Sequence, residues 1–95
     1  MLENKADYLN EILGRPIAPW RKDKYTGEYK ANIGNYHISY AYGGACLHEM
    51  TNEGGGVSCP IVHGHVPKRE LFGLMDAFIA GITRTMNVYK QEVDA

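Results

Sequence analysis

The sequence predicts a single α+β domain: a three-stranded antiparallel meander packed against one long amphipathic helix, with an additional N-terminal helix. Three features of the chain carry this expectation. Leu71, Leu74, Met75, Phe78, Ile79 and Ile82 follow the i, i+3, i+4, i+7, i+8 spacing of one helix face. Residues 20–52 lack a helical period and are cut by Thr26-Gly27, Gly34-Asn35 and Gly43-Gly44 into short Tyr- and Ile-containing runs. Leu2, Ala6, Leu9 and Leu13, widened by Tyr8 and Ile12, form a helical stripe that stops at Gly14.

In chain order, residues 1–14 form the N-terminal helix, centred on 3–13, with Gly14 placed as its C-cap. Arg15-Pro16-Ile17-Ala18-Pro19-Trp20 holds two prolines, which deny backbone donors and push their predecessors away from helix. It reads as an extended connector, and Trp20 is expected to plug one edge of the core. The meander occupies 20–52. Gly34-Asn35 has the signature of a two-residue hairpin and would join a strand at 28–33 to one at 36–42. Gly43-Gly44 would then return the chain into 45–51. Alternation puts Tyr36, Ile38, Tyr40 and Tyr42 on one face, expected to be the core side, and His37, Ser39 and Ala41 on the other. In the next strand Cys46, His48 and Met50 share a face, and Ala45, Leu47 and Glu49 take the opposite one.

Residues 53–66, with Gly54-Gly55-Gly56, Pro60 and Gly64, read as a long Gly/His loop. Pro67 opens the core helix, which runs to 82, because its missing N–H is no loss in a first turn. The opposite face of that helix carries Gly73, Asp76, Ala77 and Ala80, small enough to admit a neighbour, so a homo-oligomer is expected. Residues 83–95 repeat apolar positions at Met86, Tyr89 and Val93 and are expected to be a tail or a short helix.

Composition narrows the function classes. With 95 residues the chain supports one core. At 44% hydrophobic and 22% charged, it is neither disordered nor collagen-like. Ten Lys plus Arg against 11 Asp plus Glu leave a net charge of -1, which is no footprint for nucleic acid. No apolar run approaches the roughly 20 residues of a membrane span, and residues 2–14 carry charge where a signal peptide would be apolar. The expectation is a cytoplasmic chain with no membrane partner.

One cluster stands above this background. Cys46, His48, Cys59, His63 and His65 are candidate metal ligands: a strand puts Cys46 and His48 on one face, and the loop would fold the others back over them. Zinc is the natural occupant, since thiolate with imidazole suits it and a thin core gains from it. The spacing is not that of a standard finger, knuckle or ribbon. The alternative is that the cysteines are small buried apolar residues, the histidines lie on loops or the surface, and no cofactor is bound. A Cys46–Cys59 disulfide is sterically open, but a reducing compartment argues against it.

Glu53, Gly54, Gly55 and Gly56, with His65, Lys68 and Arg69, form a second candidate, an anion-binding loop for a phosphorylated small molecule. Neither GxxxxGK[ST] nor GxGxxG is present, and glycine triplets also serve turn geometry alone. Tyr36, Tyr40 and Tyr42, with Tyr25, Tyr29 and Trp20, would form an interaction surface unless the helix covers them as core. No nucleophile motif surrounds either cysteine, and no catalytic residue is assigned.

Tyr40-Ala41-Tyr42-Gly43-Gly44, Asn52-Glu53-Gly54-Gly55-Gly56, Gly64-His65-Val66-Pro67-Lys68-Arg69-Glu70-Leu71 and Phe78-Ile79-Ala80-Gly81-Ile82 together give the chain a further character. Over about half its length it resembles a group of small proteins of bacteriophages and other mobile elements. The resemblance implies a phage or prophage accessory protein in the host cytoplasm, and it brings no catalytic or ligand residues with it. The expected function is therefore a non-catalytic binding protein acting on a host or phage protein. The alternative is a ligand-binding module built on the glycine loop and the Cys/His cluster.

Overall fold

An amphipathic helix must bury its apolar stripe against another element, and α1 (Leu2–Leu13) does so against a sheet. The computed structural model describes the backbone of residues 1–94 and the side chains of residues 1–87. Leu2, Ala6 and Leu9 are buried, and Gly14 ends α1 in the left-handed conformation at φ 66°. The amides of Gly14 and Arg15 return to the Glu11 and Asn10 carbonyls, closing the helix as a Schellman motif.

The strands are β1 (Trp20–Lys22), β2 (Tyr29–Ala31), β3 (Tyr36–Ala41), β4 (Gly44–Met50) and β5 (Val57–Ser58). β1 and β2 form a separate antiparallel pair, while β3-β4-β5 form the three-stranded sheet. The α+β class and the antiparallel meander thus stand, but the meander begins one strand later than the sequence suggests. The segment at 28–33 pairs with β1 and not with β3, and the third strand of the sheet lies inside the expected loop at 53–66. Gly34-Asn35 is not a hairpin turn. Gly34, at φ 91°, donates its amide to the Met50 carbonyl at 2.8 Å, and the Met50 amide returns to the Asn35 carbonyl at 2.9 Å. The pair therefore extends the edge of β4 rather than folding β2 onto β3. The actual β3–β4 connection is Tyr42-Gly43, with φ 54° and 74°, the two left-handed residues of a tight hairpin.

The core lies on one face of the sheet. Tyr36, Ala45 and Leu47 meet Leu2, Ala6 and Leu9 of α1, and Leu71 and Met75 of α2 (Lys68–Asp94). Phe78, Ile79 and Ile82 pack against this cluster, as their spacing predicts, but the helix does not stop at 82: the segment expected to be a tail or a separate short helix continues it to Asp94. Gly73, Asp76, Ala77 and Ala80 are exposed, as the predicted small back face requires.

The tyrosine row does not form a continuous face. Tyr36 is core, Tyr40 is half exposed and hydrogen-bonds Glu3, and Tyr42 is 97% exposed in the turn. Its place in the turn removes it from the strand alternation. Trp20 is likewise 44% exposed in β1, its ring edge lying over Gly55 instead of plugging the core.

Asn10 fastens α1 to β3. Its fully buried carboxamide donates to the Tyr36 carbonyl at 2.9 Å and accepts the Tyr36 amide at 2.7 Å. Truncation would leave both backbone groups buried without partners, a penalty of about 1–3 kcal/mol for each unsatisfied group. Asn10→Ala should lower the unfolding free energy by about 3 kcal/mol in urea denaturation. A loss below about 1 kcal/mol would show that water replaces the amide there.

Candidate metal centre

Because Ala45 and Leu47 of β4 face the helices, Cys46 and His48 face the other way. On β3 the residues directly across from them are Ser39 and His37. β4 also receives two short pairings along its second edge: β5 at Glu49 and Met50, and Val66 at Ala45, with amide–carbonyl bonds of 2.8 and 3.0 Å. Residues 59–65 are thereby held between two anchors and brought beside Cys46. The approach at Val66 is close: a Cβ on Gly44 would lie 2.6 Å from the Val66 carbonyl oxygen, so only glycine fits.

Cys46, His48 and Cys59 converge. Their ligand atoms all lie within 4.8 Å of one another, and the two sulfurs are 3.5 Å apart. Two thiolates on one tetrahedral zinc ion lie roughly 3.8 Å apart, as Zn–S bonds of about 2.3 Å require. Both cysteines are free thiols. The buried Cys46 sulfur also faces the carbonyls of Leu47 at 3.5 Å and Val62 at 3.8 Å. Burial first, and the neighbouring Cys59 second, push the Cys46 thiol up to about 11, so at neutral pH it carries a proton that a metal ion must displace.

Two of the five expected ligands stand outside this triad. His65 lies alongside, its Nε2 3.1 Å from Ser39 Oγ and its ring centre 6.1 Å from that of His48. His63 is exposed; Gly64, at φ 83°, breaks the alternation that would have turned both histidines the same way. His37, which is not among the five expected ligands, stands edge-on to His48 at 5.5 Å between ring centres. Alternation assigns His37 to a strand face, but only the β3–β4 register sets it opposite His48.

The anion loop is not assembled. Asn52 Oδ1 accepts the amides of Gly54 at 3.0 Å and Gly56 at 2.9 Å, and the Gly55 amide goes to the Asn52 carbonyl at 3.2 Å. The donors a phosphate would need are already used within the turn. Glu53 pairs with Arg21 at 3.5 Å and Lys30 at 3.7 Å. Lys68 lies over the Tyr40 ring at 5.4 Å, and with Arg69 it borders a cavity of about 420 Å³ floored by Leu2 and Phe72. His65 belongs to the Cys/His cluster, so the seven expected residues face different neighbours.

Fold and cluster together define a class, a small mixed α+β domain with a Cys/His cluster on the sheet face opposite its helices. Set against protein-family models, curated proteins and solved structures, the chain matches none of them. No helix among the described residues is long and apolar enough to cross a membrane.

Burial, then the neighbouring His48, holds His37 below the ordinary 6.5; burial, then His65, does the same for His48. As pH falls through 6.5 the unfolded chain therefore takes up protons before the folded one does. Their contribution to stability is complete above that value and is lost as pH drops toward the folded pKa values. Metal-free protein should melt at lower temperature at about pH 5.5 than at about pH 7.5. The double variant His37→Gln, His48→Gln should show a smaller difference; an equal difference would place the pH dependence elsewhere.

Proposed function

We propose that the chain is a small non-catalytic metal-binding protein in which one zinc ion, held by Cys46, His48 and Cys59, fastens the 59–65 loop to the sheet. The convergence of those three ligand atoms within 4.8 Å carries the reading. Two sulfurs and an imidazole are a soft-to-borderline donor set suited to zinc and poorly suited to magnesium or calcium. The site has a structural use: the helices cover only one face of the sheet, and the loop on the other face has two short backbone pairings to hold it. Metal binding energy there becomes folding energy.

Protein purified without chelator should contain about one zinc per chain, and chelation should lower Tm by about 10 °C, the shift expected for roughly 2 kcal/mol in a domain of this size. Cys46→Ser and Cys59→Ser should each abolish the bound zinc. Zinc-free protein whose Tm is indifferent to both zinc and chelator would refute the reading.

A different observation favours a binding role in the accessory-protein class to which the resemblance points. Tyr25 and Tyr29 are 88% and 68% exposed on the β1–β2 hairpin, beside the exposed Lys22 and Lys24. Exposed tyrosine offers rigid contact area at little entropic cost, and a protein partner of the host or phage is the occupant this surface suits. Tyr25→Ala with Tyr29→Ala should weaken such a complex by more than about tenfold while leaving Tm within about 2 °C, because neither ring is buried.

A further inference from the structure

We propose that His37 is the fourth ligand of the metal, binding through Nε2, with its tautomer set in advance by Asn35. The inference rests on the metal-binding reading and specifies the site's remaining position. Two further histidines stand beside His48 of the triad, His37 and His65, and their hydrogen bonds distinguish them.

Asn35 is fully buried, and its Nδ2 donates to two carbonyls, Pro16 at 2.8 Å and Ile17 at 3.0 Å. Both amide hydrogens are thereby used. Turning the amide over would set its oxygen against two carbonyl oxygens, so Oδ1 must be the atom that faces His37 Nδ1 at 3.0 Å. An acceptor in that position requires the proton of the neutral ring to sit on Nδ1, which leaves the lone pair on Nε2. Metal-bound histidines take this form, with the other ring nitrogen donating to a protein oxygen. His65 has no such preset: Ser39 Oγ either donates to its Nε2 or accepts from it, so both tautomers remain open.

Placement agrees with the tautomer argument. Two imidazoles on one tetrahedral ion hold their ring centres about 5 Å apart, given Zn–N bonds of about 2 Å. The His37 ring is 5.5 Å from that of His48, whereas the His65 ring is 6.1 Å away. His37 and His48 are also direct cross-strand partners, so their backbones are already fixed relative to one another. His65 reaches the cluster from the loop. With His37 in place the site is a closed Cys2His2 centre joining β3, β4 and the 59–65 loop, with no coordination position left for a reactive water.

Cobalt(II), titrated into the full chain and followed by absorption, tests the assignment. Wild-type protein should give the intense visible bands of a four-coordinate site. His37→Ala should bind cobalt about 100-fold more weakly, with bands weakened as water enters the coordination shell. His65→Ala should leave affinity and spectrum as in the wild type. Melting of the metal-free variants establishes that each is folded. If His37→Ala matches the wild type while Cys46→Ser abolishes binding, the assignment of His37 is wrong and the metal site survives. If His65→Ala alone collapses the spectrum, the loop histidine is the ligand. Wild-type protein that takes up no cobalt overturns the metal-binding reading and this assignment with it.

Discussion

The carboxamide of Asn35 holds three parts of the chain at one point. Its nitrogen fixes the carbonyls of Pro16 and Ile17, so the proline-rich connector after α1 is seated against the start of β3. Its oxygen meets His37 on the outer face of the sheet, and its backbone carbonyl takes the Met50 amide at the end of β4. Asn10, one helix away, does the corresponding work for α1 by bonding both backbone groups of Tyr36. Buried amides are costly unless fully paired, and among the described residues no buried side-chain nitrogen or oxygen lacks a partner. Two asparagines thus set where the helix and its connector lie relative to the sheet, which apolar contacts alone would leave free to slide.

The sheet divides the molecule's labour. Its inner face is filled by both helices, and α1 and α2 are further linked at the surface by the Lys5–Asp76 pair, with the Lys5 ammonium 4.1 Å above the Phe72 ring. Such exposed contacts contribute little compared with the buried apolar cluster. Among the described residues no helix covers the outer face. That face carries Cys46, His48, His37 and Ser39, and β4's second edge draws Cys59 and His65 to them through β5 and Val66. A metal there would act as a second, smaller core in a domain whose length allows only one apolar core.

The electrostatics of that face follow from its partial burial. Imidazoles crowded together and withdrawn from water stay neutral, and the buried Cys46 thiol stays protonated. Neutral histidine is the form a metal requires, whereas the thiols must give up their protons. The affinity of a metal bound there would therefore be governed on its acidic side chiefly by the cysteines.

Much of this was legible in the chain itself. The helical stripes of α1 and α2, the Gly14 cap, the alternation through 36–41 and 45–50 and the placing of Cys46 and His48 on one strand face follow from spacing, because helices and strands bury one face at fixed periods and that periodicity is local. For 83–95 the spacing leaves tail and short helix both open, because the apolar period that signals a packed helix weakens once the helix leaves the core. Strand partnership was not local either. Gly34-Asn35 has the composition of a hairpin turn, but its role depends on an Asn35 side chain finding carbonyls 18 and 19 residues earlier, which no short motif encodes. In the same way the glycine triplet has the composition of an anion nest, but Asn52 occupies its amides. Spacing along the chain dictates which residues form helices, which faces those helices bury and which soft ligands are neighbours in sequence. That β2 pairs with β1, that the loop returns along β4 and that His37 stands opposite His48 are matters of tertiary structure, because each is fixed by strand pairing between residues apart in the chain.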